Sequence, residues 1–212
     1  MTLAQRVHAR GVSPIRVLVI GASTGGPQAL GVLLAGLTPH LGDVPVVIVL
    51  HMPASFTTVV SRHIGALTKR ETRAAVDGEA LRGGIIYLAP GETHLRLTRR
   101  DDGAIGLVLA DSPPENMCKP AVDVLFRSAA ETVGAALIGV VLTGMGQDGC
   151  AGARAIVEAG GLVIAQDRAT SAVWGMPGAV VEAGLACAVL PLAEIAEAAS
   201  RMLIGLRPRS AP

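Results

Sequence analysis

The sequence predicts an α/β protein built on a doubly wound, mainly parallel sheet, with helices on both faces and a small antiparallel hairpin section. Three observations carry that expectation. Apolar, strand-length runs alternate with helix-length segments along most of the 212 residues. The run VPVVIVL, residues 44–50, has no polar residue, as expected of a strand covered on both faces. Only Phe56, Tyr87, Phe126 and Trp174 are aromatic, so the core must come from Ala, Val, Leu and Ile, which suit buried parallel strands under small-residue helices.

In chain order, residues 16–20 read as a strand. Residues 27–37 read as a helix with Pro27 in its first turn, where a missing N–H costs little. The strand at 44–50 and a helix at 57–67 follow. Residues 85–88, 94–98 and 105–110 are short runs separated by PGET and RRDDGA, which is turn chemistry, and are grouped as the antiparallel section. A helix over 121–133, a strand over 136–142, a helix over 149–159, a strand over 161–165 and helices near 177–184 and 192–204 complete the pattern. Residues 15–206 read as one domain behind a mobile lead-in at 1–14, with a mobile tail from Arg207.

Composition narrows the function. Eighteen Lys and Arg balance 17 Asp and Glu, and no basic stripe with interleaved aromatics occurs, so nucleic acid is not expected as a partner. No apolar stretch reaches eighteen residues, and the N-terminus lacks the layout of a signal peptide. Cys118, Cys150 and Cys187 are odd in number and far apart, as for reduced thiols in a cytoplasmic protein without membrane insertion.

Ligands and catalytic groups gather outside the carboxyl ends of parallel strands. After residues 16–20 comes GASTGG with Ser23, after VPVVIVL comes His51, and after residues 136–142 comes TGMGQDG with Asp148. Serine, imidazole and carboxylate are the complementary types for acyl transfer: a nucleophile, the base that takes its proton, and the group that orients the base. Each also has an ordinary reading. Ser23 and Thr24 could cap a helix, His51 could be a hydrogen-bonded strand-end residue, and Asp148 a turn or cap residue. GASTG matches the nucleophile-elbow pattern GxSxG at a strand-to-helix turn, which makes the Thr24 N–H a candidate oxyanion donor. The dinucleotide reading fits worse, because Ser23 replaces the second glycine and the next strand ends in Leu50-His51 rather than an acid. His8, His40, His51, His63 and His94 are scattered, with no Cys or carboxylate at ligand spacing, so neither metal nor cofactor is expected.

Taken together, VIGASTGGPQAL, HMPASFT, YLAPGETHL, VDVLFRSAAE, GVVLTGMGQDG and GGLVIAQDRATSAVWGMP resemble the catalytic domain of the CheB-type protein-glutamate methylesterases of bacterial chemotaxis. The resemblance runs from about Arg16 to Leu203 and implies a doubly wound, mainly parallel fold. It implies Ser23 as nucleophile, His51 as base and Asp148 as its orienting carboxylate; backbone N–H groups near Thr24 and Met145 are candidates for the oxyanion hole. It further implies hydrolysis of glutamate methyl esters on the cytoplasmic helices of methyl-accepting receptors, with methanol released and, in some members, glutamine deamidation.

The chain departs from the family pattern in three places. Fourteen residues precede the domain at 15–206, so no receiver domain is expected within the chain; it reads as a free-standing domain or a fragment, with regulation left to a separate receiver or other protein. Leu50 stands where Gln is common. In PPENMCKPAVD, Asn116 is kept but Cys118 and Lys119 replace a His-Arg pair, and Cys118 reads as a neutral loop substitution. A non-catalytic binding module with the same fold is the alternative function.

Overall fold

A computed structural model of the chain describes residues 14–205. The expected lead-in, apart from Pro14, and the expected tail from 207 lie outside the described residues. Seven parallel strands form the main sheet: β1 Val17–Ala22, β2 Val46–Leu50, β3 Thr72–Ala74, β4 Ile86–Leu88, β7 Leu137–Val141, β8 Leu162–Gln166 and β9 Ala188–Leu190. Their order is β3-β4-β2-β1-β7-β8-β9. The chain starts at the centre, builds outward through β2 to one edge, and returns to the other side of β1 with β7. The switch point of this doubly wound sheet therefore lies at β1, between β2 and β7.

Strand period sorts the core into two layers. Val17, Val19, Val47, Val49 and Val163 point to one face, where they meet α3 Val122–Val133, α4 Cys150–Glu158 and α5 Met176–Glu182. Leu18, Ile20, Ile48, Val140 and Ile164 point to the other, beneath α1 Gly26–Leu37, α2 Thr57–Thr68 and α6 Leu192–Leu203. Both faces of every central strand are thus apolar, which is why VPVVIVL carries no alternation. The remaining strands, β5 His94–Arg99 and β6 Ile105–Ala110, form a separate antiparallel pair. Leu95, Leu97 and Leu107 seat this pair on α3, and the Ser128 hydroxyl accepts the Leu97 N–H at 3.1 Å.

Two expectations need correcting. Residues 85–88 do not belong to the antiparallel section: Ile86–Leu88 pairs parallel with β2 and β3 inside the main sheet. Two strands, β3 and β9, carry no sequence signal of their own; each is three residues long and is held by a neighbour's hydrogen-bonding edge.

Register brings the carboxyl ends of the three central strands level. Ala22 is opposite Leu50, and Gly21 is opposite Val141. The pairing continues one step past the strands: Ser23 N–H donates to Thr143 O at 3.0 Å, and His51 N–H donates to Ala22 O at 3.0 Å. Gly25, with φ +79°, makes the strand-to-helix turn after Ser23; a Cβ there would lie 2.7 Å from that of Ala172. Only glycine fits both constraints.

The large buried side chains of α1 give the fold its most direct stability test. Leu34→Ala should lower the unfolding free energy by about 2–5 kcal/mol, because a packed interior relaxes only partly around a lost side chain. Val32→Ala, on the outer face of the same helix at 49 % exposure, should change it by less than about 0.5 kcal/mol. Chemical denaturation of the two variants compares these directly.

Candidate active site

Asp148 is the most densely hydrogen-bonded side chain at the switch point, and it is 2 % exposed. Its Oδ1 accepts the N–H of Asp123 at 3.0 Å, that of Gly149 at 3.0 Å and the Asn116 amide at 3.1 Å. Its Oδ2 accepts the N–H of Val122 at 2.6 Å and His51 Nε2 at 2.7 Å. Val122 and Asp123 open α3, whose first N–H groups have no partner within the helix, and Gly149 precedes α4. The carboxylate therefore closes the amino ends of two helices, where their dipoles favour negative charge. Burial pushes the carboxyl up, but the His51 bond and the Asp123 and Val122 N–H groups outweigh it and hold Asp148 below the ordinary value of 3.8.

An ionised carboxylate can only accept, so His51 Nε2 must carry the proton it donates to Asp148. In the neutral imidazole this fixes the tautomer and leaves Nδ1 with its lone pair. His51 itself stands at the end of β2, half-buried, with its backbone tied to Ala22. Cys118 Sγ lies 3.5 Å from Nδ1. Histidine, thiol and carboxylate, which linear spacing keeps apart, are brought together by the fold.

Ser23 lies on the adjacent strand end, half-buried. Neither Ser23 nor Thr24 caps α1: the capping position is Gly25, without a side-chain bond. Among the described residues the Ser23 hydroxyl has no hydrogen-bond partner, so the structure joins His51 to Asp148 but does not close a bond from Ser23 to His51. Contacts between nucleophile and base are often loose before substrate binds. The backbone N–H groups of Thr24 and Met145 likewise have no acceptor among the described residues. Both lie in turns that follow central strands and that other bonds hold in place. The Thr143 hydroxyl donates to Thr24 O at 2.9 Å, and Gly144 O accepts the N–H groups of Gly175 and Met176 at 3.0 and 2.9 Å.

Sequence reasoning assigned no role to Asp123, Thr143 or Gln166, and gave Asn116 and Cys118 no place at the site. Asn116 and Met117 form a two-residue turn with φ 52° and 60°, closed by paired backbone bonds between Glu115 and Cys118. Positive φ at both central positions is the tight hairpin geometry that matches strand twist. Glu115 anchors the turn to α3 through a two-bond ion pair with Arg127 at 2.7 and 2.5 Å. From there Asn116 Nδ2 reaches Asp123 at 2.8 Å as well as Asp148. Asp123 also accepts Gly152 N–H at 2.6 Å, yet burial dominates and, with the Asp148 charge, keeps its carboxyl above 3.8. At the far side, Gln166 Oε1 accepts the Thr143 N–H at 2.8 Å, fixing the end of β7.

A doubly wound sheet whose switch point holds a carboxylate-oriented imidazole beside a strand-end serine defines an α/β domain laid out for acyl-transfer chemistry. The comparisons make the class specific. A family model described as CheB methylesterase matches residues 18–199, and the chain belongs to that family. The catalytic domain of the Thermotoga maritima CheB methylesterase superposes with a TM-score of 0.84 at 39 % identity, covering 91 % of this chain and 99 % of that one. The protein-glutamate methylesterase/protein-glutamine glutaminase of group 2 operon from Rhodopseudomonas palustris is 50 % identical over 192 residues, which is 91 % of this chain and 49 % of the relative. A protein-glutamate methylesterase/protein-glutamine glutaminase from a Nocardioides species is 49 % identical over 214 residues, covering 58 % of its length. The chain thus spans about half the length of most of these curated relatives.

The Asn116 bridge is testable through stability. Its amide favours the charged forms of both carboxylates, so Asn116→Ala should cost about 1.5–3 kcal/mol at pH 7, the range for a bond to a charged group. Asp148, held low, contributes stability above pH 3.8 that is lost as pH falls through its folded value. Asp123, held high, has the opposite sign: its contribution is complete below 3.8 and is lost as pH rises through its folded value. The cost of Asn116→Ala should therefore shrink as both groups protonate, which denaturation at pH 7 and at a pH below the folded value of Asp148 will read.

Proposed function

We propose that residues 15–206 form one catalytic domain, a protein-glutamate methylesterase that acts in the cytoplasm on glutamate methyl esters of chemotaxis-receptor helices. The observation that carries this reading is the His51–Asp148 pair, at a strand end adjacent to the one that bears Ser23. Family membership supports the substrate class, since the curated relatives are named for glutamate methylesterase and glutaminase activity. Among the described residues no helix is long and apolar enough to cross a membrane.

Ser23 Oγ attacks the ester carbonyl while its proton passes to His51 Nδ1. The oxyanion that forms is met by the N–H groups of Thr24 and Met145. Collapse expels methanol, which takes its proton from His51, and leaves the glutamyl group esterified on Ser23. Water then attacks, giving its proton to the same nitrogen; the second intermediate collapses to free carboxylate, and the proton returns to Ser23 Oγ. A glutamine side chain can enter the same sequence and release ammonia in place of methanol. Asp148 stays ionised throughout and steadies the imidazolium. A separate receiver or regulatory protein is the partner this reading adds.

A fluorophosphonate probe should label Ser23, and Ser23→Ala should abolish both labelling and methanol release from methylated receptor. Full activity in that variant would exclude Ser23 as nucleophile. Asp148→Asn should lower kcat by roughly 10³–10⁴-fold, because an amide can donate to Nε2 and put the imidazole proton on the wrong nitrogen. A chain inert to both probe and methylated receptor would instead be a binding module.

A further inference from the structure

We propose that Cys118 and His51 form a binding site for a thiophilic divalent cation, Zn²⁺ above all, which silences the domain by occupying the lone pair of Nδ1. One ligand atom from each of His51, Cys118 and Asp148 lies within 4.8 Å of the others; Asp148 is engaged with Nε2–H, which leaves Cys118 and His51 to bind the ion. The separation of Cys118 Sγ from His51 Nδ1 is 3.5 Å. Zinc bonds of about 2.3 Å to sulfur and about 2.05 Å to nitrogen, meeting at a tetrahedral angle, place those two atoms about 3.6 Å apart. The thiol and imidazole are therefore already at the spacing of one edge of a zinc tetrahedron.

The surroundings suit a cation. Asp148 holds Nε2–H at 2.7 Å, which is the carboxylate–histidine–metal arrangement: the far nitrogen is fixed by a carboxylate and the near one is aimed at the ion. Asp123 sits behind Asp148 across the Asn116 amide. Lys119, next to Cys118, is turned aside into an ion pair with Asp111. Cys118 and His51 are both half-buried, so water can reach the ion and complete its coordination. On binding, the Cys118 thiol proton leaves to solvent and a metal–thiolate bond forms. Thiolate with imidazole selects Zn²⁺ or Cd²⁺ over Mg²⁺ and Ca²⁺, which prefer oxygen.

The turn at Asn116-Met117 makes this possible, because it carries Cys118 to the one ring nitrogen that Asp148 leaves open. Binding follows from this geometry alone; only its effect on turnover rests on His51 being the esterase base.

Titrating the full chain with Cd²⁺ should produce a thiolate-to-metal charge-transfer band equivalent to one cysteine per chain. The band should vanish in Cys118→Ala and Cys118→Ser, persist in Cys150→Ala and Cys187→Ala, and require at least tenfold more metal in His51→Ala. Zn²⁺ should lower methanol release by tenfold or more, reversibly with chelator, while each Cys118 variant, compared with its own metal-free rate, loses less than twofold. Mg²⁺ should do neither. A missing band, or one that survives in both Cys118 variants, overturns the site. A normal band in a chain without esterase activity overturns the methylesterase reading and leaves the site standing.

Discussion

The arrangement depends on one buried charge. Asp148 has almost no contact with water, yet it is ionised because five donors converge on its two oxygens. Two of those donors are the first N–H groups of α3, one is its own neighbour at the head of α4, one is an amide, and one is the imidazole. Helix ends must find acceptors and a buried carboxylate must find donors; here each need meets the other. The consequence for His51 is structural as well as electrostatic. A residue at a strand end, which ordinarily has rotational freedom, becomes a fixed imidazole with a defined tautomer.

The sheet supplies the rest by register. Because β1, β2 and β7 end level, the residues that follow them fall at one edge without any long loop having to reach across. The turns beyond are then pinned to one another. Thr143 bonds the GASTGG turn, the segment around Val173 bonds Thr143, and Gln166 bonds the Thr143 backbone. Strand order, rather than loop length, does the positioning.

Much of this was legible in the letters because buried parallel strands are written as unbroken apolar runs. The strands at 16–20, 44–50 and 136–142 are of that kind, and the polar types that follow them were visible at once. Thr72–Ala74 and Ala188–Leu190 were not, since a three-residue edge strand has no period and takes its conformation from the neighbour it pairs with. Ile86–Leu88 was misplaced because a short run flanked by turns looks the same in a hairpin and in a sheet. The segment from 111 to 121 was opaque for a different reason. Its two positive-φ residues fold it back on itself, so that Asn116 meets carboxylates 7 and 32 residues away and Cys118 meets a histidine 67 residues away. No spacing rule anticipates such contacts. The clues were single letters: an amide and a thiol beside a proline-rich bend, and an aspartate at the first turn of an amphipathic helix.

Which ring nitrogen faces outward has a mechanical consequence. Nδ1 is attached closer to the main chain than Nε2, so it swings on a shorter lever when the side chain librates. With Nε2 clamped at the far end by Asp148, the imidazole resembles a beam fixed at both supports: the β2 backbone at one end, the carboxylate at the other. Swing of the ring about its side-chain torsions is then opposed at both ends, by the backbone bond to Ala22 and by the bond to Asp148.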